Sequence, residues 1–345
     1  MAEADSQLPV PGSLWIYAPN QGAPIFFAIA FAVSGVGHVW KCYRYKSWGL
    51  VGLHPVCALF FTVGYALRGY GSFNHYVYAK GDTPVLINFI LSQVLIYICP
   101  PLLELANYHV LGRVFYYIPY LAPLPPGRVL ATFGGLMALV EALNAIGVSL
   151  AANPTSSGDQ QHLGKVLVIA AISLQVMVIV VFAILAGLFH WRCARSKILP
   201  RAATTPLHTL YASMALIFVR CIYRLVEHTG NTTVRLQDAD ALRALSPLLR
   251  YEWYFYVFEA TLMLVNSAIW NIWNPGRYMK KNVHLAEDGR TEVELDDELD
   301  DELDRRPLLA KAGNVLTFGM LFRKKASSAH FHQLDELPHA SGRQV

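Results

Sequence analysis

Arg220, Arg224 and Glu227 stand four and three residues apart in an otherwise apolar run, and Glu252, Tyr256 and Glu259 repeat that spacing further along the chain. On a helix these intervals put each trio on a single face. An arginine-bearing face and a carboxylate-bearing face can neutralise each other, and a carboxylate left over is a partner for an ammonium group. Arg68, Glu141 and Gln175 lie in three further apolar runs. Counting Arg68, Arg220 and Arg224 against Glu141, Glu227, Glu252 and Glu259 leaves one negative charge in surplus. In apolar surroundings this set suits an amphipathic cation or zwitterion, and the alternative is a structural ion-pair network that keeps two helices in register.

The elements that must position these groups follow from composition. Of 345 residues 54% are hydrophobic and 15% charged, with a mean hydropathy of +0.35. This is a membrane-protein composition, and it excludes a single soluble domain, a nucleic-acid binder and a disulfide scaffold. Residues 1–273 carry 17 Lys/Arg and 11 Asp/Glu, whereas residues 274–345 carry 11 and 13, so a polar tail begins at the Asn274-Pro275 step. A spanning helix needs about 20 mostly apolar residues. Windows of that kind at 23–41, 49–69, 84–107, 128–152, 163–190, 207–227 and 251–273 predict an all-α polytopic protein with seven transmembrane helices. The division is then an extracellular segment 1–22, a seven-helix body 23–273 and a disordered cytosolic tail 274–345. The first window follows no basic segment, so it reads as a retained span and not a cleaved signal. Pro100-Pro101 inside the third window predicts a kink facing protein, and residues 119–126 read as a stiff extended connector.

Orientation follows from basic residues in short loops, which stay on the cytosolic side. Lys41, Arg44 and Lys46, then Arg113 and Arg128, then Arg192, Arg195, Lys197 and Arg201, and finally Arg277, Lys280 and Lys281 all fall on one side. The N-terminus is therefore expected outside and the C-terminus in the cytosol. The only glycosylation sequon, at Asn231, falls in the loop after the sixth span, on the expected outer side. The sixth and seventh spans share that loop and run antiparallel. Arg220 and Glu259 then lie at matching depth, about 10 Å below the outer helix ends. The two trios are expected to face each other, with Arg220 and Arg224 paired to Glu252 or Glu259.

The pattern Arg220-x3-Arg224-x2-Glu227-x2-Gly230, followed by Glu252-x3-Tyr256-x-Phe258-Glu259 and Asn274-Pro275-Gly276, resembles the fungal RTA-like family of lipid-translocating exporters. Tyr17-x-Pro19, Gly64-Tyr65-x2-Arg68, Pro101-x4-Ala106-x-Tyr108, Gly112-Arg113, Gly164 and Gln175 extend the resemblance over residues 15–276. It implies a seven-helix protein that moves amphipathic lipids such as sphingoid long-chain bases, sterol-like amines or phospholipids, or helps cells resist them. It also implies no enzyme activity and a plasma or vacuolar/endosomal membrane. The chain departs from the pattern at Phe61, where the family often has Glu, and at Val148, near a position where it often has Gln.

Two rival readings are a seven-helix receptor-like lipid sensor and an intramembrane metal hydrolase. His38, His54, His109, His190 and His208 all fall at expected cytosolic span ends, yet none is paired with another His or an acid at helical spacing. No Gly-rich phosphate loop appears, and no cofactor is expected. The tail holds nine acids between Glu292 and Asp304, a density that favours disorder. Asp304-Arg305-Arg306-Pro307-Leu308-Leu309 reads as an acidic dileucine signal, with Asp304, Leu308 and Leu309 as the contacts for sorting adaptors. Membrane lipids are the other expected partners.

Overall fold

The structure, a computed structural model, describes residues 10–73, 76–78, 82–152, 158–198, 200–230, 242, 245–279, 283–286 and 291–294. Its long elements are α1 (Gly22–Arg44), α2 (Leu53–Ser72), α3 (Thr83–Tyr97), α4 (Cys99–Tyr117), α5 (Pro126–Ala152), α6 (Gly158–Arg195), α7 (Arg201–Thr229) and α8 (residues 252–272). Six helical segments among the described residues are long and apolar enough to cross a membrane: Gly22–Arg44, Thr83–Tyr117, Pro126–Ala151, Gly158–Arg195, Arg201–Thr229 and Glu252–Arg277. The chain is thus an all-helical, multi-pass membrane protein. Its outward faces are apolar, as on α1, where Ile29, Val33 and Val36 are 60 to 72% exposed.

The second expected span, α2, is not among those six. His54, Arg68, Ser72 and three glycines dilute its apolar run. Twelve of its twenty residues are buried, so α2 carries polar groups into the protein, while Leu59, Val63 and Tyr70 leave one face exposed. It packs along α1 and α3, while α5 packs along α6 and α8 lies against α1 and α7.

The Pro100-Pro101 pair sits in the first turn of α4, where missing N–H groups and a fixed φ are tolerated. The rod Thr83–Tyr117 is therefore interrupted at Ile98, one residue before α4 begins. Cys99, Pro100 and Pro101 are all buried, and the Cys57 thiol of α2 donates to the Cys99 carbonyl at 3.7 Å. The break is packed against protein at Cys99, Pro100 and Pro101. The connector after α4 begins with a 3₁₀ turn, Pro119–Leu121, before Ala122 becomes extended.

Glycines set the closest helix approach. A Cβ on Gly164 would lie 2.6 Å from Ala151 N and 2.7 Å from Gly147 O, so α5 and α6 meet backbone to backbone. Gly164→Ala is expected to lower stability by about 1–3 kcal/mol through overpacking. An unchanged melting temperature of the variant in detergent would refute this close approach.

The charge density from residue 274 onward predicts disorder, yet the described part of this region is built. Asn274 caps the 3₁₀ turn Pro275–Arg277, its side chain accepting from Gly276 N at 2.9 Å. Strands β1 (Val283–Leu285) and β2 (Glu292–Glu294) pair antiparallel. Tyr117 donates to Glu292 at 2.9 Å, Tyr120 donates to the Ala286 carbonyl at 3.1 Å, and the His284 ring lies tilted against Tyr116 at 4.2 Å. Buried Met279, Val283 and Leu285 supply the apolar anchor that a charge count does not register. The remainder of the acidic tract from residue 295, the dileucine residues Asp304, Leu308 and Leu309, and Asn231 lie outside the described residues.

Candidate functional site

At the end of the bundle that carries the N-terminal segment, Arg68 projects from the last turns of α2 and is 1% exposed. Its Nη2 donates to Glu252 Oε1 at 2.9 Å and to the Tyr17 hydroxyl at 2.9 Å, and its Nε donates to the Tyr256 hydroxyl at 3.3 Å. The guanidinium also lies 4.3 Å from the Phe255 ring centroid. Burial raises the Tyr17 hydroxyl above its ordinary value against the opposing pull of Arg68, so it stays neutral. Residues 10–17 thus fold over the ion pair. Trp15 meets Phe89 edge-on at 5.1 Å and packs with Leu242 and Leu245, and Ser13 pairs with Val77. Ile16 adopts φ 76°, a β-branched residue in the left-handed region, at a cost of about 1–3 kcal/mol met by the surrounding packing. On the same side Glu252 Oε2 accepts from Asn20 N at 2.7 Å, and the Asn20 side chain accepts from Gly22 N and Ala23 N, which caps α1.

Deeper, Arg220 Nε of α7 donates to Glu259 Oε1 of α8 at 2.6 Å, with Glu259 fully buried. The facing of α7 and α8 is as expected for this pair. It is not so for the others. Arg224 bonds Glu227 of its own helix at 2.5 Å, reaches the Tyr97 hydroxyl of α3 at 3.4 Å and donates to His228 Nε2 at 3.1 Å. Glu252 is instead taken by Arg68, because the first turn of α8 meets the last turns of α2. Residues Tyr256–Thr261 form a π-helical turn inside α8, with the Thr261 hydroxyl donating to the Tyr256 carbonyl at 2.8 Å. Such turns widen a helix locally and recur at functional sites. This one holds both Tyr256 and Glu259 buried.

One carboxylate of this site escapes a reading based on the two trios. Glu104 of α4 is fully buried; Gln175 Nε2 of α6 donates to its Oε2 at 2.8 Å, and the Tyr108 hydroxyl donates to its Oε1. Glu141 of α5 and Arg220 are its electrostatic neighbours, and Glu141 itself is half-buried and bonded to Asn144 of its own helix. The signal was an acid in the third apolar window, equivalent to the one that marks Glu141 in the fourth. Three ion pairs therefore account for Arg68, Arg220 and Arg224, and Glu104 and Glu141 form no salt bridge among the described residues. Glu259 Oε2 and the fully buried Tyr65 hydroxyl also have no partner there. At the site, five carboxylates of α4 to α8 (Glu104, Glu141, Glu227, Glu252 and Glu259) stand against three arginines, Arg68, Arg220 and Arg224.

The family described as "RTA1 like protein" matches residues 55–282, which contain Arg68, Glu104, Glu141, Arg220, Arg224, Glu227, Glu252 and Glu259. The chain belongs to the RTA1-like family. It is 51% identical to a lipid-translocating exporter-like protein RTA1 from Leptosphaeria maculans over 98% of its own length and 66% of that protein. It thus spans about two thirds of that relative. Identity is 27% to a protein of the same name from Ajellomyces capsulatus, over 78% of this chain and 84% of the relative. It is 23% to the probable lipid transporter atnI of Emericella nidulans, over 78% and 69%. No solved structure matches the chain.

In this RTA1-like chain four of the five histidines considered as metal ligands form two separate ring contacts, His38 with His54 at 5.3 Å and His190 with His208 at 5.7 Å. Among the described residues no group of three or more His, Cys, Asp or Glu is placed to hold a metal ion. The five cysteines are buried and free.

Proposed function

We propose that this chain translocates amphipathic lipids, with Glu141 and Glu104 receiving a cationic or zwitterionic headgroup. The observation that carries the reading is that Glu104, fully buried, and Glu141, half-buried, are electrostatic neighbours of Arg220 and form no salt bridge among the described residues. Apolar grooves on α6 to α8 suit a lipid tail. An apolar groove of about 450 Å³ runs between α7 and α8 past Tyr223 and Phe258, and a second of about 460 Å³ continues past Phe218 toward Tyr211. From Val226 to Tyr211 the two run along fifteen residue steps of α7, about 22 Å at 1.5 Å per step, the length scale of a long alkyl chain. The names of the relatives, transporters and not enzymes, support the same reading. Sphingoid bases, sterol-like amines and phospholipids are the substrates to try.

Glu141→Gln keeps shape and removes charge. An ammonium headgroup gains about 1.5–3 kcal/mol from a charged hydrogen-bond partner, so the variant is expected to need about tenfold or more additional sphingoid base for equal leaflet exchange in proteoliposomes. Phospholipid exchange should change less. Normal expression with undiminished exchange of the base would remove Glu141 from headgroup recognition.

The same reading takes α2 as a seventh crossing, with the N-terminus outside, the tail in the cytosol, Asn231 glycosylated on the outer side and the dileucine residues open to adaptors in a plasma or vacuolar/endosomal membrane. Protease added to intact cells should leave residues 280–345 whole and digest them only after permeabilisation. Cleavage of the tail on intact cells would invert the topology.

A further inference from the structure

A second group of buried polar residues lies where α1, α2 and α8 meet, away from the ion pairs. His54 precedes Arg68 by fourteen residues on α2, about 20 Å along the helix. The His38 and His54 rings stack at 5.3 Å, and His54 lies against Trp270 at 5.2 Å. His38 Nε2 is 3.1 Å from Ser267 Oγ, which is 2.6 Å from Ser34 Oγ. Asn271 Nδ2 donates to Ser34 Oγ at 2.8 Å, and the Lys41 ammonium is engaged by the Asn271 carbonyl.

These bonds leave much of the cluster unsatisfied. His38 Nδ1, both His54 nitrogens, both side-chain atoms of Asn266 and Trp270 Nε1 have no partner among the described residues. The four residues are 0, 2, 0 and 0% exposed. An unpartnered buried donor or acceptor costs about 1–3 kcal/mol, so six on touching or helically adjacent residues are not a packing device. Their chemistry is specific. Trp270 donates, the Asn266 amide donates and accepts, and neutral His54 does both. No carboxylate pairs with any of them among the described residues. Uncharged hydroxyl groups, each donating one hydrogen bond and accepting up to two, match these donors and acceptors.

We propose that His38, His54, Asn266 and Trp270 form a second binding site, for an uncharged hydroxyl, supplied by a lipid or by water. Beside it α1 and α8 meet closely: a Cβ on Gly37 would stand 2.9 Å from Asn271 Oδ1, and small Ser34 and Ser267 make the contact. The outer face of α1 exposes Val33 and Val36. The site stands whether or not the charged cluster moves lipid, because its occupancy needs no transport.

The test is photolabelling of the purified full chain in phosphatidylcholine nanodiscs with a diazirine-bearing hexadecanol, in competition with unlabelled hexadecanol or its methyl ether, which accepts but does not donate. Label should map to α1, α2 and α8 around His38, His54 and Trp270, with the alcohol competing at least tenfold better than the ether. Asn266→Leu and His54→Phe should each lower labelling fivefold or more, and His54→Gln, which keeps a donor and an acceptor, should retain it if the phenylalanine variant does not fold. Equal competition by alcohol and ether overturns the proposal for lipid. So does an Asn266→Leu protein that labels normally and melts higher, the result for a site that holds water alone.

Discussion

Glu259→Ala is expected to destabilise the protein by about 3–5 kcal/mol, and Arg220→Ala by a similar amount, because each leaves a buried partner charge without compensation. The pair is 2.6 Å apart, with the Glu259 side chain fully buried and the Arg220 side chain 7% exposed. In such a site the attraction offsets desolvation only while both groups are present. Exchanging the charges, Arg220→Glu together with Glu259→Arg, should therefore recover a large part of what either single reversal loses. Chemical denaturation in detergent, read as a double-mutant cycle, measures the coupling. Additive single effects would show that the two helices do not meet through this pair. Arg224→Ala should cost less: its Glu227 partner is on the same helix, and the pair is partly exposed, 19 and 10% for the two side chains.

Arg68→Ala should be as damaging and should differ in kind. Arg68 holds Glu252, Tyr256 and Tyr17 at once, so its loss strands the Glu252 carboxylate and frees the segment over the bundle end. The expected result is a loss of about 3–5 kcal/mol together with faster proteolysis within residues 10–17. Tyr17→Phe, which removes one hydroxyl and keeps the ring, should cost about 1 kcal/mol and accelerate the same cleavage only slightly. If Arg68→Ala leaves residues 10–17 as protected as the wild type, the segment is held by Trp15 and its apolar neighbours and not by the guanidinium.

Several features of the site were legible as spacing. The intervals between Arg220 and Glu227 and between Glu252 and Glu259 place each trio on one helix face, and an antiparallel hairpin at equal depth is enough to bring Arg220 to Glu259. Kinking at Pro100-Pro101 was legible for the same local reason, since proline acts on its own backbone. Partner choice was not. Arg224 had candidates on α8 by spacing but turned to Glu227, and Glu252 was claimed by Arg68 from a helix about 180 residues earlier. The π turn at Tyr256–Thr261 left no local mark either, because nothing in Tyr-Val-Phe-Glu-Ala-Thr separates it from an ordinary α turn.

The sequence by itself determined that the protein is helical and lies in a membrane, which residues carry charge into it, and the family to which it belongs. Those properties are sums over short stretches: apolar length sets a span, and each charge keeps its desolvation cost wherever the helix goes. Tertiary structure decided which charges cancel, that Glu104 joins Gln175 and Tyr108, that α2 buries twelve of its twenty residues, and that the paired strands Val283–Leu285 and Glu292–Glu294 lie against Tyr117 and Tyr120. Pairing depends on which helix ends and faces meet in space. A buried ion pair forms only within about 4 Å and in suitable geometry, so a shift of one helical turn redistributes the partners while composition and periodicity stay the same.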